Sequence, residues 1–573
     1  MPSRIHESLS LIETLSLLWI FFFSSLCAAQ APVYHPTPGR PPGHPDKTCR
    51  NGPKTRACWD GDHDISTDFG VDWPDTGKIV EYHLEITNTT MALDGVERLV
   101  LAVNGQSPGP TIRANWGDTV RVHVKNSLQD NGSHQDGTNG VTECPIAPGQ
   151  YKTYEFRCTQ HGTSWYHSHH NVQYGDGVLG AMVIEGPATA NYDVDLGTMP
   201  IQDWYYQTAF ANSLIGIPPV ADNGLINGTM VNANGGGRYH TNTIQKGKSY
   251  RLRLINTSID NYFKVHLDNH LFTVIAADFV PIQPYQSDWL FIGIGQRYDV
   301  IIHADQDIGN YWFRAEVQRG CGRNAMNGRI NSIFRYEGAD QTANPTSVAS
   351  PYSQDCDDET GLVPYVKVDV PSEHFVQQAK DLNVTFDRQV GSNGENIVHW
   401  KINGSPIETD WEYPTLQYVL DGNTSYPSKL NLIELPQANV WTYWIIETVF
   451  GSIVNVPHPI HLHGHDFSIL GVGQGSYPGP QGLNFTNPPR RDVAMLPDLG
   501  WLVVAFPTDN PGAWLMHCHI AWHAHEGLAV QFLERRSDIP SVLNIEQQWG
   551  ETCAQWKDYI NGRAVYQQDG SGI

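Results

Sequence analysis

Three times along the chain an apolar–Asn–Gly turn precedes a strand-like run that alternates apolar and polar residues. Val103-Asn104-Gly105 comes before Gly117 to Asn126, Ile226-Asn227-Gly228 before Lys246 to Asn256, and Ile402-Asn403-Gly404 before Asn439 to Glu447. The second and third copies continue alike, as Tyr262-Phe-Lys-Val-His266 and as His458-Pro-Ile-His461-Leu-His463. Long helical periodicity is absent, so the repeat predicts an all-β chain of three related sandwich or barrel domains. The composition shifts place the expected pieces at 1–31, 32–186, 187–365 and 366–573, with boundaries near Pro187 and in the loop-rich stretch from Asp340 to Pro371.

The chemistry is concentrated in Trp514-Leu-Met-His517-Cys518-His519-Ile-Ala-Trp-His523. On a strand, successive side chains point to opposite faces, so Cys518 faces away from His517 and His519. One thiolate with two imidazoles is a copper donor set, and His523 lies close enough to join Cys518. Two further motifs, Trp165-Tyr-His167-Ser-His169 and His458-Pro-Ile-His461-Leu-His463, each put two histidines on one strand face. A lone His-x-His is common among structural histidines, but two of them beside His-Cys-His in one chain predict metal. His161, His170 and His465 lack such a pattern and read as structural, and His399-Trp400 reads as part of an ordinary strand.

With 573 residues, the chain can bury several cores. Its net charge of −24 excludes nucleic acid as a partner. Residues 1–31 run from Arg4 through an apolar stretch to small residues at Ala29 and Ala31, which predicts a signal peptide rather than a membrane anchor. A secreted protein in an oxidising compartment is therefore expected. Of its nine cysteines, Cys49 and Cys58 are close enough for a local disulfide. Cys321 with Cys356 and Cys144 with Cys553 are further plausible pairs, although spacing alone leaves the connectivity open. Cys158 remains as a buried free thiol. Sequons at Asn88, Asn227, Asn403 and Asn423 suggest N-glycosylation.

Gly140-Val-Thr-Glu-Cys144-Pro-Ile-Ala-Pro-Gly149, Tyr174-Gly-Asp-Gly177, Asp203-Trp-Tyr-Tyr206, Gly295-Gln-Arg-Tyr-Asp-Val300 and Asn487-Pro-Pro-Arg-Arg-Asp492 carry a resemblance over essentially the whole secreted length. The chain resembles the multicopper oxidases, and among them the ascomycete laccases. That resemblance implies three consecutive cupredoxin-like Greek-key β-barrels and four coppers. His458, Cys518 and His523 would hold type 1 copper, with Leu528 in the non-coordinating axial position. His461 would serve type 2 copper, and His167, His169, His463, His517 and His519 the type 3 pair. It implies a monomer that oxidises phenolic small molecules one electron at a time and reduces O2 to water, with no nucleic-acid or membrane partner. Asp260 matches an acidic residue of the substrate pocket, where a carboxylate can accept the phenol proton. A turn aspartate capping its own loop is the competing role. Asp136 matches an acidic residue near type 2 copper, placed to deliver protons.

The chain departs from the family in its first domain. A His-Trp-His-Gly motif, supplying one type 2 and one type 3 ligand, belongs after Asn126. Here Asn126-Ser-Leu-Gln-Asp-Asn-Gly132-Ser-His134-Gln-Asp136-Gly137 runs past its place. His134 alone cannot replace two ligands, and the repeat indicates that a strand pair is missing from this domain. Two classes of function follow: an active secreted laccase whose gene encodes the missing strand, lost here through a mis-drawn intron, or a catalytically defective copper- and phenol-binding relative that retains only the type 1 site.

Overall fold

The computed structural model describes residues 48–128, 137–215, 219–390, 396–448, 456–542 and 548–562. The leader, His134, Asp136 and the last residues of the chain lie outside them. The described chain forms three pairs of β-sheets. The first pair has 4 and 3 strands, and the second and third pairs each have 6 and 5. Each copy's Asn-Gly turn closes a hairpin: φ is 52°, 49° and 52° at Asn104, Asn227 and Asn403, and 74°, 74° and 83° at the following glycines. Positive φ at both central residues matches the turn to the twist of its flanking strands.

Alternation sets which side of each strand is buried. In Asn310–Val317, Tyr311, Phe313, Ala315 and Val317 are inside and the residues between them are half-exposed. The second core lies between its two sheets, with Leu252 and Leu254 from one and Phe263, Val265 and Phe313 from the other. Burying each such apolar side chain contributes ~1.5–3 kcal/mol. The third core includes Trp165 and Leu179 of the first sheet pair and Ile255 and Tyr262 of the second, packed against Ile460, Met516 and Cys518. The putting-together of all three units is thus centred on the strand that carries Cys518.

The first unit is shorter than the sequence reading expects. In the second unit, residues 257–296 hold strands Phe263–Leu267, Phe272–Ala277, Val280–Ser287 and Leu290–Ile292. In the third, His458–Leu462, Phe467–Gln474, Arg490–Arg491 and Val493–Leu496 occupy the same place. Between Thr119–Asn126 and Tyr151–Arg157 there is no strand among the described residues. Among the described residues both sheets of the first unit therefore have two strands fewer than their counterparts, where one strand pair was expected to be missing. Among the described residues Gly162–His167, which carries His167, is thus an edge strand, whereas Gly512–Cys518 is flanked on both sides.

Disulfides join Cys49 to Cys58, Cys144 to Cys553 and Cys321 to Cys356, while Cys158 and Cys518 are free and buried. One helix, Gln548–Ile560, was not anticipated. It buries Trp549, Cys553 and Trp556, a single face at helical spacing, and Trp549 donates to the Thr142 carbonyl at 2.7 Å. Among the described residues, no helix is long and apolar enough to cross a membrane.

Candidate metal centre

Strand Gly512–Cys518 leads into helix Ala521–His525, so Cys518 ends the strand and His523 lies on the helix. The Cys518 N–H donates to the Leu528 carbonyl at 3.1 Å and the Leu528 N–H to the His523 carbonyl at 2.9 Å, folding the segment back on itself. Strand His458–Leu462 runs antiparallel beside it, with Ile460 opposite Cys518 and His461 opposite His517. Cys518 Sγ lies 3.6 Å from Nδ1 of both His458 and His523, and the two Nδ1 atoms are 3.2 Å apart. All three residues are buried, and Leu528 beside them is fully so. Burial pushes His458 down to about 3 and His523 well below the ordinary imidazole range, while the Cys518 thiol is pushed up. Two neutral imidazoles and a thiol that loses its proton only to a strong positive partner form a site suited to a soft cation.

Trp400 roofs this site. Its ring centroid lies 4.8 Å from that of His458 and 4.3 Å from that of His523. The sequence reading placed Trp400 on an ordinary strand. That is correct for Asn396–Ile402, but it misses the side chain's role. Its position three residues before Asn403 of the third Asn-Gly turn was the available signal.

Behind Cys518, six imidazoles from two units converge. Ligand atoms of His169, His463 and His517 lie within 4.8 Å of one another, with His463 Nε2 and His517 Nε2 at 3.3 Å. His167, His461 and His519 flank this trio, with ring centroids 5.5 Å apart for His167–His519 and 5.7 Å for His461–His519. Three of the rings are held through Nδ1, which donates to a carbonyl: His461 to Asp492 at 2.7 Å, His517 to Cys518 at 2.9 Å, and His167 to Ser168 at 3.0 Å. Each such bond leaves Nε2 as the lone-pair nitrogen. Burial, then neighbouring imidazoles, drives His169, His517 and His519 well below the usual range. His169 Nε2 is buried without a hydrogen-bond partner, an arrangement that an incoming cation relieves.

His465, His170 and His161 lie outside both groups. His465 Nε2 pairs with Glu534 at 2.8 Å, His170 Nδ1 meets Asn139 at 2.7 Å, and His161 packs on Trp116. Asp260 sits in the loop after Ser249–Asn256. The Ala521 N–H donates to the Ile259 carbonyl at 3.0 Å, which ties that loop to the helix of His523. The loop is capped by Asp203, which accepts from the N–H groups of Ile259, Asp260 and Asn261 at 2.8–3.0 Å. Burial and the neighbouring Asp203 raise Asp260 to about 7, and burial raises Asp203 to about 6.

Sequence profiles described as multicopper oxidase match residues 85–189, 195–339 and 401–538. Laccase-3 of Botryotinia fuckeliana is 58% identical over 74% of this chain and 100% of its own length. A laccase of Neurospora crassa is 43% identical over 91% of this chain and 89% of its own. The crystal structure of a laccase from Botrytis aclada superposes with a TM-score of 0.85 at 41% identity, covering 92% of this chain and all of that one.

Proposed function

The chain belongs to the multicopper oxidase family, with its cupredoxin-like fold, and is a laccase; from that premise we propose how its own residues divide the work. His458, Cys518 and His523 would hold the copper that takes electrons from a phenolic substrate. His169, His463 and His517 would hold one copper of the cluster that meets O2, with His167 and His519 reaching a second and His461 a third. Bound copper supplies one-electron oxidation at the first site and four-electron reduction of O2 to water at the second.

The protein's part is positioning, exclusion of water and proton handling. The backbone of His517-Cys518-His519 is the covalent path between the two sites. Trp400 and Leu528 keep water from the Cys518 side, and Leu528 would offer a bound copper no donor atom, a lever on potential. Asp260 accepts the phenol proton at its carboxylate, with an affinity set near neutral pH by burial and Asp203. Asp136 remains a candidate for proton delivery on sequence grounds. The three disulfides support an oxidising compartment, and we propose secretion through residues 1–31 and action as a monomer.

The observation that carries this reading is the convergence of Cys518 Sγ and two Nδ1 atoms within 3.6 Å, one residue from a second cluster of imidazoles. Metal analysis, anaerobic titration with a phenol and oxygen-electrode assays test it. Blue absorption bleached by the phenol is expected, and a copper-loaded protein without it sinks the assignment of Cys518.

A further inference from the structure

The motif Gly295-Gln296-Arg297 lies on the middle unit, which contributes none of the imidazoles, yet it touches the supports of the histidine cluster from both other units. Arg297 Nε donates to the Thr163 carbonyl at 3.1 Å, on the edge strand that ends in His167. Its Nη1 and Nη2 grip the Asp492 carboxylate at 2.5 and 2.6 Å. Asp492 is the residue whose carbonyl accepts from His461 Nδ1. Nη1 also reaches the Gly295 carbonyl at 3.2 Å. Gly295 has φ +83°, and a Cβ there would stand 2.6 Å from the His519 ring. One buried guanidinium thus binds the mountings of His167, His461 and His519.

We propose that Arg297 is a positioning residue for the histidine cluster, holding the three flanking imidazoles in register across the junction of the three units. Arg297 touches supports of all three of those rings, on strands from two different units and on its own turn. The demand is greater here because, among the described residues, the strand of His167 has no neighbour on its outer side. A planar fork with five donors in fixed directions meets a carboxylate and two carbonyls at once, and a lysine ammonium cannot reproduce that geometry. Asp278 anchors the residue in turn: the Arg297 backbone N–H donates to its carboxylate at 2.8 Å, Arg297 Nη1 lies 3.5 Å from it, and Arg491 donates to the same group at 3.1 Å.

The inference rests on the copper reading above, and the test separates the two. Full-length protein, Arg297→Lys and Asp492→Asn are loaded with copper and dialysed against a competing chelator. Copper per chain and the blue absorption of the Cys518 site are followed together. Outer supports of metal ligands are typically worth ~10–100-fold in metal affinity, so both variants are expected to lose cluster copper at ~10-fold lower chelator than the parent. The blue absorption should hold its parental midpoint. Asp492→Asn keeps the backbone carbonyl and the side-chain shape, so it carries the test if the lysine variant does not fold. Cluster affinity within about twofold of the parent in both variants overturns the proposal. Parallel loss of both kinds of copper also overturns it, since that is general destabilisation. A parent without cluster copper would instead refute the copper reading itself.

Discussion

His517 and Cys518 are consecutive on one strand and face opposite metal sites, the imidazole 3.3 Å from His463 and the thiol 3.6 Å from His458. The strand's two-residue period produces this division, and the His517 Nδ1 bond to the Cys518 carbonyl at 2.9 Å locks it. Cys518→Ser is therefore expected to abolish blue absorption and phenol oxidation, because a hydroxyl is too hard and too weakly acidic to replace a thiolate. Copper at the histidine cluster should persist. Optical spectra and copper analysis of the variant decide it, and a variant that stays blue would falsify the assignment.

Among the described residues, Gly162–His167 has no counterpart of the ladder that His458–Leu462 provides in the third unit. Inserting a His-Trp-His-Gly strand with suitable turns between Gly132 and Asp136 would add two imidazoles and a strand partner. Copper per chain and oxygen uptake should both rise over the parent. Parent and insertion variant giving equal copper content and uptake would show that the cluster does not need them.

Asp260 and Asp203 have folded-state pKa values of about 7 and about 6, both above the ordinary 3.8. For carboxyls raised in this way the protonated form favours the fold. Their contribution is at its best below about pH 4 and is lost as pH climbs towards 7. Asp260→Asn should thus melt higher than the parent at pH 8 and equally at pH 4. It should also erase a rise in phenol kcat/KM on the way to pH 7, leaving oxidation of a donor that releases no proton, such as ferrocyanide, unchanged. Melting curves at the two pH values and paired substrate profiles test both parts; a phenol profile identical to the parent's would remove Asp260 from proton transfer.

The disulfide Cys144–Cys553, with a Cα separation of 5.0 Å, ties helix Gln548–Ile560 to the first unit across 409 residues. Cys553→Ser is expected to lower stability by ~5 kcal/mol on the loop-entropy account. The bridge joins no residue of either metal site, so blue absorption should survive at temperatures where the variant is still folded. A melting temperature equal to the parent's would show that the helix is held by Trp549 and Trp556 packing alone.

Much of this organisation is local and could be read without coordinates. Asn104, Asn227 and Asn403 each precede glycine because a two-residue hairpin needs positive φ twice, so the triple repeat was visible in sequence. His517, Cys518 and His523 are close along the chain, and strand alternation alone sets His517 and Cys518 on opposite faces. The absence of a His-Trp-His-Gly motif was equally plain. What the sequence did not contain was the partner of each buried charge. Arg297 meets Thr163 and Asp492 across 134 and 195 residues, and Asp203 caps a loop 56 to 58 residues away. Trp400 reaches two histidines that share no periodicity with it. Those pairings arise only when three separately patterned units dock. A buried guanidinium or carboxylate must then find its hydrogen bonds among whatever backbone and side-chain groups the junction presents, and no local spacing encodes which groups those will be.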